Sequence, residues 1–201
     1  MATATVQLPS HDRVEPGSKQ LRWAEYPVAT KAPEEHDPSE VATNWVSTFS
    51  KALNGNDSSA VGDLFWEQAC WRDQLGLSWN YRTFCGPLKI REFLNGSLKG
   101  SRITDVKIDN TQPNRKPQFA AADYDGKVQG VMTFLKIETD VGRGRGLVRL
   151  LQDSQGKYKA FTLLTTMHEL KGHEEKLGLK RPNGVDHGTL HSTRFRFQKS
   201  C

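Results

Sequence analysis

The sequence predicts an α+β fold: a curved antiparallel sheet wrapped around three N-terminal helices. Three observations carry that prediction. Residues 39–98 hold three apolar patterns with helical spacing. Residues 101–170 hold five runs of strand character. Two turns, Asp125-Gly126 and Asp153 to Gly156, join neighbouring runs into a meander. Helices first and strands afterwards is the order of an α+β domain.

The first helix opens at Pro38-Ser39-Glu40, because proline suits a first helical turn. Val41, Trp45, Phe49 and Leu53 then recur one turn apart, and Ala42 and Val46 widen the stripe. Gly55 is the expected stop. A second helix starts after Asn56 or Asp57, with Val61, Leu64, Phe65 and Gln68 or Ala69 on its inner face. A third runs from Pro87 to Leu98 and buries Ile90, Phe93 and Leu94. The five strands follow: one in SRITDVKID, two around Asp125-Gly126, and two around Asp153 to Gly156. Outside this unit the periodicity fails. Residues 1–38, with five prolines, read as an extended arm, which Trp23 and Tyr26 are placed to pin onto the domain. Residues 39–170 form the domain, and 171–201 an extended tail.

Composition narrows the classes of function. The formal charge is +5, but the basic residues are interleaved with acids, so no nucleic-acid site is expected. No apolar run is long enough for a membrane span, and the first residues lack the apolar core of a signal peptide. These features lead us to expect a cytoplasmic protein. The three cysteines, Cys70, Cys85 and Cys201, form no disulfide framework by count, so Cys70 and Cys85 are expected as buried thiols in helix and loop settings. HGTLH and MHELKGH lack metal-ligand spacing, so no metal is expected. VGRGRG, at 141–146, lacks the strand–turn–helix context of a phosphate cradle and reads as a bulged hairpin tip.

Four stretches carry a family resemblance: NWVSTFSKAL, LFWEQACWRDQLGLSWNYRTFCGPLKIREFL, VGRGRGLVRLLQ and MHELKGHEEKLGLKRPNGVDHG. Together they resemble the cone-shaped nuclear transport factor 2-like (SnoaL-like) fold, and more narrowly the N-terminal domain of fungal flavin-containing monooxygenases. The first resemblance implies a cavity between sheet and helices, as in ketosteroid isomerases, scytalone dehydratase and polyketide cyclases. In the monooxygenases a flavin-binding GxGxxG turn follows the segment that matches HG at 187–188. None follows here, so no cofactor is expected.

The candidate site comes from the same stretches. LFWEQACWRDQ is similar to the ketosteroid isomerase segment that ends in a general-base aspartate, which the resemblance places at Asp73. Two settings are open for that carboxylate. Enclosed by indole rings it loses hydration and becomes a better base; paired with Arg72, Arg82 or Arg149 it orders the sheet. His168 enters the cavity if it shares a face with Thr162, Leu164 and Thr166, and is otherwise a surface histidine. Arg149 grips an enolate or carboxylate if it points inward, and is a solvated strand charge if outward. Trp66, Trp71, Trp79, Tyr81, Phe84, Tyr124 and Phe134 are the candidate lining, each otherwise a core or surface ring. Tyr124 and Tyr158 are weaker hydrogen-bond donors.

Three kinds of function remain. One is a cofactor-independent isomerase, cyclase or lyase, including pericyclic ring closure, acting on an apolar natural-product intermediate of fungal secondary metabolism. The second is a non-catalytic ligand-binding module or partner of a separate flavin monooxygenase. The third is an inactive remnant. The exposed sheet faces of this fold also suggest a homodimer.

Overall fold

A computed structural model describes Tyr26, residues 36–97 and residues 103–176. Most of the expected arm, and the tail beyond 176, lie outside the described residues. So does Trp23. Tyr26 does pack on the domain, its ring 5.3 Å from that of Phe161.

Helix α1 spans Pro38–Asn54, and its cap is Asp37, whose carboxylate accepts the Ser39 amide at 3.0 Å. Ala42, Trp45, Val46, Phe49 and Leu53 form its buried stripe, as the spacing predicts. Helix α2 is short, Ser58–Asp63, and is capped by Asp57. The expected continuation through Ala69 is wrong, because β1 begins at Phe65 and runs to Gln74. Ala69, Trp71 and Asp73 are buried while Cys70 and Arg72 alternate with them, so the burial period is two. Strand β2 (Tyr81–Cys85) returns beside β1, and α3 (Pro87–Ser97) follows.

The remaining strands are β3 (Ile103–Ile108), β4 (Gln118–Ala121), β5 (Gln129–Thr139), β6 (Gly142–Gln152) and β7 (Tyr158–Leu170). All five expected strands are present, and β1 and β2 bring the described sheet to seven. Its order is β2-β1-β7-β6-β5-β3, with β4 also on β5. The β5–β6–β7 meander is antiparallel, but β1 lies parallel to β7. That pairing sets residues 65–74 against 160–166 and fixes the site described below.

The expected hairpin tip is corrected: only Val141 of VGRGRG precedes β6, Gly142 to Gly146 lie inside that strand, the β5–β6 ladder is regular, and the register shift between Arg143 and Gly144 is in the pairing with β7. A Cβ at Gly144 would stand 2.6 Å from the Thr166 carbonyl oxygen, so these glycines allow β7 to approach closely. Cys70 and Cys85 correct the expectation of free buried thiols. They face each other across β1 and β2 and form a disulfide, with Cys70 half-buried and Cys85 exposed. No helix among the described residues is long and apolar enough to cross a membrane.

Candidate functional site

The sheet has two unlike faces, and the strand registers decide which side chains share one. Trp71 pairs with Leu163, Asp73 with Thr165, Leu163 with Val148 and Val148 with Thr133. All of these are buried, and they form the inner face. Aromatic rings stack against it. Trp71 lies parallel to Phe65 at 5.8 Å and meets Phe49 at 5.7 Å and Phe93 at 6.4 Å. Phe84 stacks on Phe93 at 3.8 Å. Trp71 and Phe49 from two different elements are thus held by π contacts as well as by burial.

Asp73 sits at the end of this column and is wholly buried. Its Oδ1 accepts the Thr165 hydroxyl at 2.6 Å, and that hydroxyl accepts Trp71 Nε1 at 2.9 Å. Its Oδ2 accepts the amides of Leu77 at 3.0 Å and Ser78 at 3.3 Å. The chain reaches those amides through Leu75, whose φ of 62° is unusual for a branched side chain. It then passes Gly76, where a Cβ would stand 2.6 Å from Asp73 Oδ1. The β1–β2 connection therefore folds over the carboxylate. The Ser78 hydroxyl oxygen is also buried and has no hydrogen-bond partner.

Asp73 makes no ion pair with Arg72, Arg82 or Arg149; Arg72 donates instead to Thr83 at 3.3 Å. Burial raises the Asp73 pKa above the ordinary 3.8, against the lowering pull of Thr165 and of the Leu77, Ser78 and Gly76 backbone. Of the two settings open from sequence, the structure shows the desolvated one.

The other candidates do not converge on Asp73. Trp71 and Phe84 share its face, but Arg149 pairs with Met132 and Thr162 on the outer face, and so does Phe134 with Leu147. Period-two alternation puts them a sheet thickness away from the carboxylate. His168 is exposed and falls at the register shift between Gly144–Met167 and Arg143–Glu169, and Thr162, Leu164 and Thr166, whose face it was expected to share, lie on the outer face with Arg149 and Leu147. Trp66 packs between the main core and a small cluster of Val128, Leu151 and Phe161, donating its Nε1 to the Leu151 carbonyl at 3.1 Å. Trp79 and Tyr81 are about two-thirds exposed (65% and 64%), and Tyr124 is fully exposed. Large rings close in sequence suggested one wall, but the strand and its turn send them to different sides.

Thr165, Leu77 and Ser78 went unnoticed in the sequence. Thr165 lies 92 residues from Asp73 and meets it only through the parallel β1–β7 pairing. The turn amides had one visible signal, the Gly76 that follows Asp73 by three residues.

No protein-family model matches the chain, and no curated protein matches it. Solved structures are similar at low identity. A domain of unknown function with a cystatin-like fold from Nostoc punctiforme has 16% identity and a TM-score of 0.49, over 80% of this chain and 93% of that one. A ketosteroid isomerase-like protein from Erwinia carotovora atroseptica has 11% identity and a TM-score of 0.48, over 65% and 96%. ActVI-ORFA from Streptomyces coelicolor has 13% identity and a TM-score of 0.45, over 64% and 95%. At such values the assignment of roles rests on this chain's own side chains.

Proposed function

We propose that the chain is a cofactor-independent isomerase, cyclase or dehydratase acting on a small apolar intermediate of secondary metabolism, with Asp73 moving the proton. One observation supports this reading above the rest. Asp73 is a buried carboxylate, raised in pKa, with no cation beside it among the described residues. Such a group is a stronger base near neutrality than a solvated aspartate. In the proposed reaction Asp73 takes a proton from the carbon next to a substrate carbonyl and returns it elsewhere on the substrate. The unpartnered Ser78 hydroxyl supplies a donor for the enolate oxygen that forms in between. Access requires the Leu75–Asn80 connection to lift.

The test is conversion of a β,γ-unsaturated cyclic ketone to its conjugated isomer, followed by the absorbance of the enone. Asp73→Asn keeps the shape and removes the base, and turnover is expected to fall by about 100-fold or more. Turnover that survives this substitution excludes Asp73 as the base. A second reading, a binding module without chemistry, is favoured by the contiguous rings of Phe49, Phe65, Trp71 and Phe93 on the inner face. It predicts no turnover in either protein.

A further inference from the structure

Between the first turns of α1 and the start of β7, seven residues before Thr165, lies a cleft of about 450 Å³. Tyr158 and Thr165 are seven residues apart on that strand, or roughly 20 Å. The cleft is therefore separate from the Asp73 site. Its volume falls within the range of roughly 300–1,000 Å³ usual for small-molecule sites.

The walls are chemically uneven. Val41, Trp45 and Leu64 give an apolar base. The Trp45 indole N–H is already spent on the Leu64 carbonyl at 3.2 Å, so Trp45 offers only ring surface. The Tyr158 hydroxyl is the reverse: its oxygen is buried and has no hydrogen-bond partner. Buried hydroxyls in folded proteins are nearly always paired, so this unpaired one beside the cleft is a place for a ligand atom once the side chains covering it shift. Burial also raises the Tyr158 pKa, so the phenol keeps its proton and can donate. The His36 ring, also on the wall, stands edge-on to Tyr158 at 5.9 Å. Glu40 and Lys157 add one charge of each sign, and neither forms an ion pair among the described residues. With the two charges offsetting, the wall does not select for an ion.

We propose that this cleft is a second binding site, for a small neutral ring-bearing molecule whose carbonyl or hydroxyl oxygen meets the Tyr158 hydroxyl. The ring lies on Trp45 and Leu64, and the oxygen takes the hydrogen bond that the Tyr158 hydroxyl leaves unmade.

A matched pair of probes tests this: acetophenone, and ethylbenzene, which has the same shape without the oxygen. Each is titrated into the full chain and followed by backbone amide chemical shifts. Acetophenone is expected to move the amides of Val41, Asn44, Trp45 and Tyr158 and to bind about fivefold more tightly than ethylbenzene, the worth of one hydrogen bond. Tyr158→Phe keeps the ring and should abolish that preference. Asp73→Asn should leave it unchanged, which separates this site from the proposed catalytic one. Equal affinity for both probes, a preference that survives Tyr158→Phe, or shifts confined to Leu77 and Ser78 would each overturn the proposal.

Discussion

Asp73 and Asp109 are both aspartates with almost no exposed surface, and they are held in opposite ways. Asp109 follows β3 and has charged company. Its carboxylate accepts Arg115 at 2.7 Å and the Thr111 hydroxyl and amide, and Lys136 stands 3.9 Å away. Burial pushes its pKa up, but Thr111 and Arg115 outweigh burial and hold it at about 2. Asp73 has hydroxyl and amide donors and no cation, and there burial wins. Neutral donors serve both carboxylates, Thr111 at Asp109 and Thr165 with the turn amides at Asp73; Asp109 alone adds a guanidinium. A buried acid with a cation beside it reads as structural. A buried acid without one is the better candidate for chemistry.

The largest expected difference between them is in stability at neutral pH. A carboxyl held at about 2 rather than 3.8 contributes about 2.5 kcal/mol to folding. Asp109→Asn should therefore lose on the order of 2 kcal/mol in urea unfolding at pH 7. Asp73→Asn should change stability by less than about 1 kcal/mol, because it removes a desolvated charge while keeping an oxygen for the Leu77 and Ser78 amides. Equal losses from the two variants would break the contrast.

The pH profile sharpens it, because the two signs are opposite. Asp109 has a lowered pKa in the fold, so its contribution is present above 3.8 and is lost as pH falls from there toward 2. Asp73 has a raised pKa, so its ionisation opposes folding, and stability declines as pH rises above 3.8 through the folded value. Measured by denaturant midpoint, Asp109→Asn should flatten the acid limb only. Asp73→Asn should flatten only the decline above pH 4. If Asp73→Asn alters the acid limb instead, its carboxylate has a cation partner in solution.

Much of this was legible in the sequence, but not all of it. The stripe of Trp45, Phe49 and Leu53 gave α1, and Gly126 and Gly156 marked turns that the backbone makes with φ of 71° and 80°. Local spacing is enough where one element meets one core face. Phe65 to Ala69 misled because Val61, Leu64, Phe65 and Gln68 or Ala69 fit helical spacing, and the β1–β7 ladder decided for a strand. The disulfide was missed for a related reason: Cys70 and Cys85 pair only because β1 and β2 form a hairpin. Asp73 is singled out by its motif. Its partner Thr165 is not, since a parallel pairing across 92 residues leaves no local trace. Arg149 and His168 failed as partners because alternation told which residues share a face, but not which face is inner.

The smallest effect concerns Thr165. Thr165→Val exchanges the hydroxyl for a methyl of similar volume, so packing is kept and two hydrogen bonds are lost. Trp71 Nε1 loses its acceptor, and Asp73 loses one of the donors that pull its pKa down. The stability cost should be about 1–2 kcal/mol at pH 4. It should grow as pH rises, because the less solvated carboxylate becomes harder to ionise. Thr165→Ser restores both bonds and should recover most of the loss, which a purely steric role for Thr165 would not allow. A cost from Thr165→Val that stays constant from pH 4 to pH 8 would show that Thr165 supports only Trp71, and that Asp73 owes its ionisation behaviour to the Leu75–Asn80 turn alone.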